Sequence, residues 1–213
     1  MLLRLQYITD SPQLAEKACN AGVRWIQARI KNKDERTWLA MAGDIAAICK
    51  KNNAVCIVND NAEIALKVNA DGLHLGQKDM SFSEAKKIFR NRKMIIGGSA
   101  NTAEDVMKLA QQKISYMGLG PLRFTSTKKD LKPVLTIGGY KIIMDAVIKS
   151  DIRFPPIYAI GGIVANDVHK LMLLGLDGVA VSSAISEAKD INQAVQEFNT
   201  ALGENELNDE IER

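Results

Sequence analysis

The chain has 213 residues, 46% apolar, 5% aromatic and 25% charged, with 15 glycines and 5 prolines, which excludes a collagen, a low-complexity linker and a disordered chain. The net charge is +3, but Glu204, Glu206, Asp209, Glu210 and Glu212 against Arg213 leave +7 on the first 202 residues. No dense Lys/Arg stripe interleaved with aromatics appears, so the expected partners are small anionic molecules and not nucleic acid.

Cys19, Cys49 and Cys56 form no C-x-x-C pair, and His74 and His169 are the only histidines. A disulfide framework, a thiolate zinc site and a multi-histidine centre are thereby excluded, and any metal is expected on oxygen ligands. The sequence shows no 18-residue apolar run and no apolar leader, so a cytoplasmic protein without a membrane span is expected. No Ser/Gly/Pro-rich stretch divides it. One catalytic domain over residues 1–202 is predicted, followed by a disordered acidic tail over 203–213, and homo-oligomers are compatible with this composition.

Short apolar runs alternate with amphipathic stretches from end to end. The first run, Leu5 to Thr9, leads into Thr9-Asp10-Ser11-Pro12, which lacks the glycines that open a doubly wound sheet. The second, Arg24 to Ala28, continues into Arg29 and Lys31; a period of two puts Gln27, Arg29 and Lys31 on one face. Two cations there suit a diphosphate, and a solvated strand end would look the same. A helix is predicted over Asp34 to Lys51, with Trp38, Leu39, Ala42, Ile45, Ala46 and Cys49 on one side.

The third run, Ala54 to Val58, ends in Asn59-Asp60, where a lone Asp also serves as a helix cap. The fourth, Gly72 to Leu75, holds His74, expected as a hydrogen-bonded core group, and leads into Gly76-Gln77-Lys78-Asp79. Asp60 and Asp79 on neighbouring strand ends are what a Mg2+ ion that also binds substrate phosphates requires. Ser81 to Glu84 and Asn101 to Glu104 have the spacing of capping boxes.

The fifth run, Lys93 to Gly97, is followed by a predicted turn, Gly97-Gly98-Ser99, that offers a hydroxyl. After the sixth, Ser115 to Leu119, come Gly120-Pro121 and a long loop with Thr125, Ser126, Thr127, Lys128 and Lys129, expected to act as a mobile lid from Arg123 to Lys132. The seventh, Pro156 to Ile160, meets Gly161-Gly162, and the eighth, Gly178 to Val181, meets Ser182-Ser183. Eight strand and helix pairs of this kind predict the α/β class, a single (β/α)8 TIM barrel with parallel strands and right-handed crossovers. In that fold the loops after strands seven and eight are the usual phosphate site, although a glycine pair also serves a plain tight turn.

Taken in order, Gln27-Ala28-Arg29-Ile30-Lys31, Val58-Asn59-Asp60, His74 to Asp79, Gly120-Pro121 with Thr125 to Lys128, Ala159 to Ile163 and Val181 to Ile185 resemble the successive motifs of thiamine phosphate synthases. The resemblance runs from Tyr7 to about Asp190. It implies a transferase that joins a hydroxymethylpyrimidine diphosphate to a thiazole phosphate with release of pyrophosphate, with Mg2+ as cofactor. It further implies that Gln27, Arg29, Lys31, Asn59, Ser99 and Lys128 bind the pyrimidine diphosphate, with Arg29, Lys31, Lys128 and Ser99 catalytic. Asp60 and Asp79 would hold the metal, and Thr125, Thr127, Gly162, Ser182 and Ser183 the thiazole phosphate.

Three positions depart from the family pattern. Arg123-Phe124 stands where Phe-Pro is usual, Ile30 replaces a Glu, and Asn101 replaces a frequent His. The alternatives are a thiazole tautomerase on the same barrel and a non-catalytic phosphate-binding barrel. Neither has use for Gln27, Arg29, Lys31, Asp60 and Asp79 together.

Overall fold

Strands that are buried on both faces read as continuous apolar runs, and helices that cover them read as amphipathic. The computed structural model, which describes residues 3–90, 92–124 and 133–203, shows that alternation throughout. The strands are β1 (Leu5–Thr9), β2 (Trp25–Ala28), β3 (Val55–Asn59), β4 (Gly72–Leu75), β5 (Ile95–Ala100), β6 (Tyr116–Leu119), β7 (Ile157–Ile160) and β8 (Gly178–Val181). Between them run α1 (Pro12–Asn20), α2 (Glu35–Lys51), α3 (Ala62–Lys67), α4 (Phe82–Phe89), α5 (Ala103–Ala110), α6 (Thr136–Ile148) and α7 (Ala165–Leu173). The short α8 (Ser183–Ser186) and α9 (Ile191–Leu202) follow β8.

The strands form a closed barrel in sequence order, and β8 returns to pair in parallel with β1, Leu5 opposite Val179 and Tyr7 opposite Val181. The predicted (β/α)8 barrel is thus the observed one. The acidic tail beyond residue 203 and residues 125–132 lie outside the described residues.

Helix starts follow local capping chemistry. Ser11, Asp34, Asn61, Ser81 and Thr102 each accept the backbone N–H three residues on. The box over Ser81 and Glu84 forms as predicted, but the next one sits a residue later, on Thr102 and Asp105. Asn101 is diverted inward, where its amide donates to the carbonyls of Gly120 (2.9 Å) and Pro133 (3.0 Å).

Strand β5 also differs from expectation, because it runs through Gly97, Gly98 and Ser99 instead of turning there. Packing explains this: a Cβ on Gly97 would lie 2.2 Å from the Tyr116 ring, and one on Gly98 would lie 2.9 Å from Phe82. The glycines are needed for close approach along the strand, not for a turn.

Alternate residues of each strand face the barrel axis. Its floor is an aromatic cluster in which Trp25 meets Tyr116 and Tyr158 edge-on, both at 4.9 Å between ring centroids, beside Ile57. Since Tyr116 fills the space that Gly97 leaves, Gly97→Ala overpacks the interior and is expected to destabilise by about 1–3 kcal/mol. Thermal unfolding checks this, at about 2–4 °C of melting temperature per kcal/mol for a chain of this size.

Candidate active site

The carboxyl end of the barrel gathers the charged residues. Lys31 forms an ion pair with Asp60, and Asp79 lies near enough to Asp60 for the two carboxyl groups to interact. Asp60 has φ of 66°, a left-handed conformation that non-glycine residues adopt at a cost. Its neighbour Asn61 caps α3, accepting from Ile64 N at 3.0 Å, so the capping role that an isolated Asp60 suggests falls to Asn61. The Asp60 carboxylate is left to face the site.

Asp79 folds back to accept the Gly76 N–H at 2.6 Å. Burial first, and the nearby Asp60 second, push its carboxyl from 3.8 up to about 6, against the pull of the Gly76 N–H and of Lys31. Burial lowers the pKa of the Arg29 guanidinium, and the carboxylates of Asp60, Asp10 and Asp79 oppose that shift. Arg29 therefore sits among three acidic side chains. A cavity of about 240 Å3 joins Asp10, Arg29 and Lys31 to Ser182 and Ser186, and so spans both halves of the predicted site.

Below this rim a polar chain crosses the barrel. Gln27 Nε2 donates to Gln6 Oε1 (3.0 Å), and Gln6 Nε2 donates to Tyr116 OH (3.3 Å). The Tyr116 oxygen lies 3.0 Å from His74 Nδ1, and His74 Nε2 lies 2.9 Å from Ser99 Oγ. An amide nitrogen only donates and burial holds Tyr116 neutral, so Tyr116 accepts from Gln6 and keeps a hydrogen that can go to His74 Nδ1. In that tautomer Nε2–H donates to Ser99, whose own hydrogen points onward; in the other, Nδ1–H donates to Tyr116 and the Ser99 hydroxyl donates to Nε2. His74 is a hydrogen-bonded core group, as expected. Gln27 is only 2% exposed and Asn59 5%, so both lie deeper than Arg29 and Lys31.

The predicted phosphate loop lies across the mouth. Gly161 and Gly162 have φ of 88° and 70°, and Cβ atoms on them would lie 2.4 Å from Pro121 and 2.8 Å from Arg123. The start of the β6–α6 connection thus rests on the glycine pair. Thr125, Thr127 and Lys128, and most of the expected lid, are outside the described residues.

Sequence reasoning missed Asp10, Gln6, Tyr116 and Asp167. Only Asp10 left a signal, as a carboxylate at the end of a strand. A second cavity, about 230 Å3 and lined by Lys86, Lys93 and Lys113 among others, lies at the amino end of β5, the barrel end concerned with stability.

Such a rim marks the class of (β/α)8 enzymes that act on phosphorylated small molecules. Residues 5–185 match the family described as Thiamine monophosphate synthase. The thiamine-phosphate synthase of Flavobacterium johnsoniae is 41% identical over 208 residues, 95% of this chain and 97% of that protein. That of Bacteroides fragilis strain ATCC 25285 is 41% identical over 195 residues, 89% of this chain and 95% of its own. A solved structure of the thiamine phosphate pyrophosphorylase from Pyrococcus furiosus superposes with a TM-score of 0.81 at 29% identity, covering 95% of this chain and 96% of that one. The chain belongs to the thiamine monophosphate synthase family, and its activity is the group transfer that makes thiamine phosphate.

Proposed function

We propose that the substrates are a hydroxymethylpyrimidine diphosphate and a thiazole phosphate, joined at the carboxyl rim with release of pyrophosphate. The observation that carries this is the single cavity uniting Arg29 and Lys31 with Ser182. Neither a tautomerase nor a passive phosphate-binding barrel needs the cationic side of that cavity.

We assign the pyrimidine ring to Gln27 and Ser99, Ser99 with its hydroxyl and Gln27 with an amide held by Gln6. Arg29, Lys31 and Asn59 are placed for the diphosphate, with Lys128 assigned by resemblance alone. Asp60 and Asp79 fit Mg2+: two carboxylates brought this close repel each other, and that repulsion is relieved by an oxygen-seeking dication. Bound there with the diphosphate, Mg2+ supplies charge neutralisation to the leaving group.

The bond between the pyrimidine methylene and the diphosphate oxygen breaks with its electron pair on oxygen. Arg29 and Lys31 stabilise that growing negative charge, while the aminopyrimidine delocalises the positive charge on the methylene. The thiazole nitrogen then donates its lone pair to the methylene, and no side chain is needed as nucleophile. Thr125, Thr127 and the backbone at Gly162, Ser182 and Ser183 would anchor the thiazole phosphate so that the nitrogen is aimed at the methylene. This reading puts the enzyme in the cytoplasm; among the described residues no helix is long and apolar enough to cross a membrane.

Pyrophosphate release is the test. It is expected to saturate in both substrates and to stop when EDTA removes Mg2+. Release that ignores the thiazole phosphate, or that persists without divalent cation, overturns the proposal.

A further inference from the structure

We propose that Arg123, held by Asp167, is a positioning residue that sets the orientation of the phosphate-binding backbone at Gly162 and Ile163. The inference rests on the thiazole-phosphate subsite assigned above.

Arg123 reaches from the root of the β6–α6 connection to the first turn of α7. Its NH1 and NH2 donate to the two carboxylate oxygens of Asp167 at 2.5 and 2.6 Å, and NH1 also donates to the Gly162 carbonyl at 2.9 Å. Asp167 is 6% exposed and also accepts the Val164 N–H at 2.9 Å. The fork is therefore anchored on a buried carboxylate that is itself tied to the loop.

The carbonyls of this loop are all engaged on the same side. Gly161 O accepts from Leu122 N and Arg123 N, both at 3.0 Å, and Gly162 O accepts from the guanidinium. A trans peptide points its N–H opposite to its C=O. Fixing those two carbonyls therefore turns the N–H groups of Gly162 and Ile163 away from the β6–α6 root. Among the described residues neither of these N–H groups has an acceptor within the protein. Two successive open N–H groups beside residues of positive φ make a concave donor pair for an oxyanion.

Arg123 thus acts without touching the substrate. Its charge is spent on Asp167, and what it delivers is the direction of two peptide dipoles. Loss of the fork frees the Gly162–Ile163 peptide to rotate, and only the ligand that binds there should be affected.

Steady-state kinetics with the full chain and Mg2+ test this through Arg123→Met, Asp167→Asn and a subsite control, Ser183→Asp. Arg123→Met and Asp167→Asn are each expected to raise KM for the thiazole phosphate about tenfold, with KM for the pyrimidine diphosphate within about twofold. Combined, they should cost little more than either alone, because they break one unit. Ser183→Asp places a carboxylate in the subsite and should raise the same KM by repulsion. If Ser183→Asp is selective and Arg123→Met shifts neither KM or both equally, Arg123 does not orient the loop and the inference fails while the subsite stands. If Ser183→Asp leaves the thiazole-phosphate KM unchanged, the subsite assignment fails and takes the inference with it. Should Arg123→Met not fold, Asp167→Asn, which retains the guanidinium and removes only its anchor, decides by the same criterion.

Discussion

Asp79→Asn is expected to lower Mg2+-dependent turnover by about 10²–10³-fold and yet to raise the melting temperature of the metal-free protein. Both effects have one cause. The carboxyl of Asp79 is raised from 3.8 to about 6, by burial foremost and by Asp60 next. A carboxyl raised on folding contributes stability that is complete below its unfolded value and is lost as pH climbs through the folded one. Wild-type enzyme in EDTA should therefore lose stability between about pH 4 and 6. Asn cannot ionise, still accepts the Gly76 N–H, and removes that dependence.

Because Asp79 is only partly buried, solvent screens much of the repulsion, leaving about 1 kcal/mol. For a chain of this size that is about 2–4 °C. Thermal melts across this pH range in EDTA, paired with turnover against Mg2+ concentration, check both halves. A variant that melts below wild type at neutral pH, or that turns over normally at low Mg2+, contradicts the assignment.

Arg29→Ala should weaken the pyrimidine diphosphate by about 10- to 100-fold, the worth of charge-assisted hydrogen bonds, and leave the thiazole phosphate nearly unaffected. Arg29 is held among Asp10, Asp60 and Asp79, whose charges oppose the lowering of its pKa by burial. Removing it leaves three carboxylates facing an incoming diphosphate. Titration calorimetry of each ligand separates the outcomes. Equal losses for both would mean that Arg29 supports the rim as a whole, or that the two subsites are exchanged.

The barrel was legible because its cues are local. Each strand is a short apolar run between helices, and Gly178 begins its strand and Leu75 and Thr9 end theirs where the pattern says. The placement of Asp60, Asp79, Arg29 and Lys31 at the carboxyl rim was legible for the same reason, each following a recognisable strand. What escaped depends on partners far away in sequence. Gly97-Gly98-Ser99 looks like a turn until Tyr116 is seen to need the missing side chain. Asn101 has cap spacing, and only the carbonyls of Gly120 and Pro133 divert it. Asp10 follows a strand end, but in an ordinary turn whose capping is done by Ser11, so its carboxylate did not stand out. Arg123 departed from the family pattern, but its partner, Asp167, is 44 residues away in the first turn of α7.

The aromatic floor formed by Trp25, Tyr116 and Tyr158 has a bearing on traffic. It packs the barrel beneath Gln27 and Ser99, so on the proposed reading both substrates reach these residues from the carboxyl rim. The group that sits deepest must go in first and come out last. If, as proposed, the pyrimidine lies over Gln27 and Ser99 and the thiazole phosphate beside Gly162, an early thiazole phosphate would stand in the way of its partner. On that reading kinetic order would be a matter of depth, and surplus thiazole phosphate would act as a plug that the pyrimidine diphosphate has to outcompete.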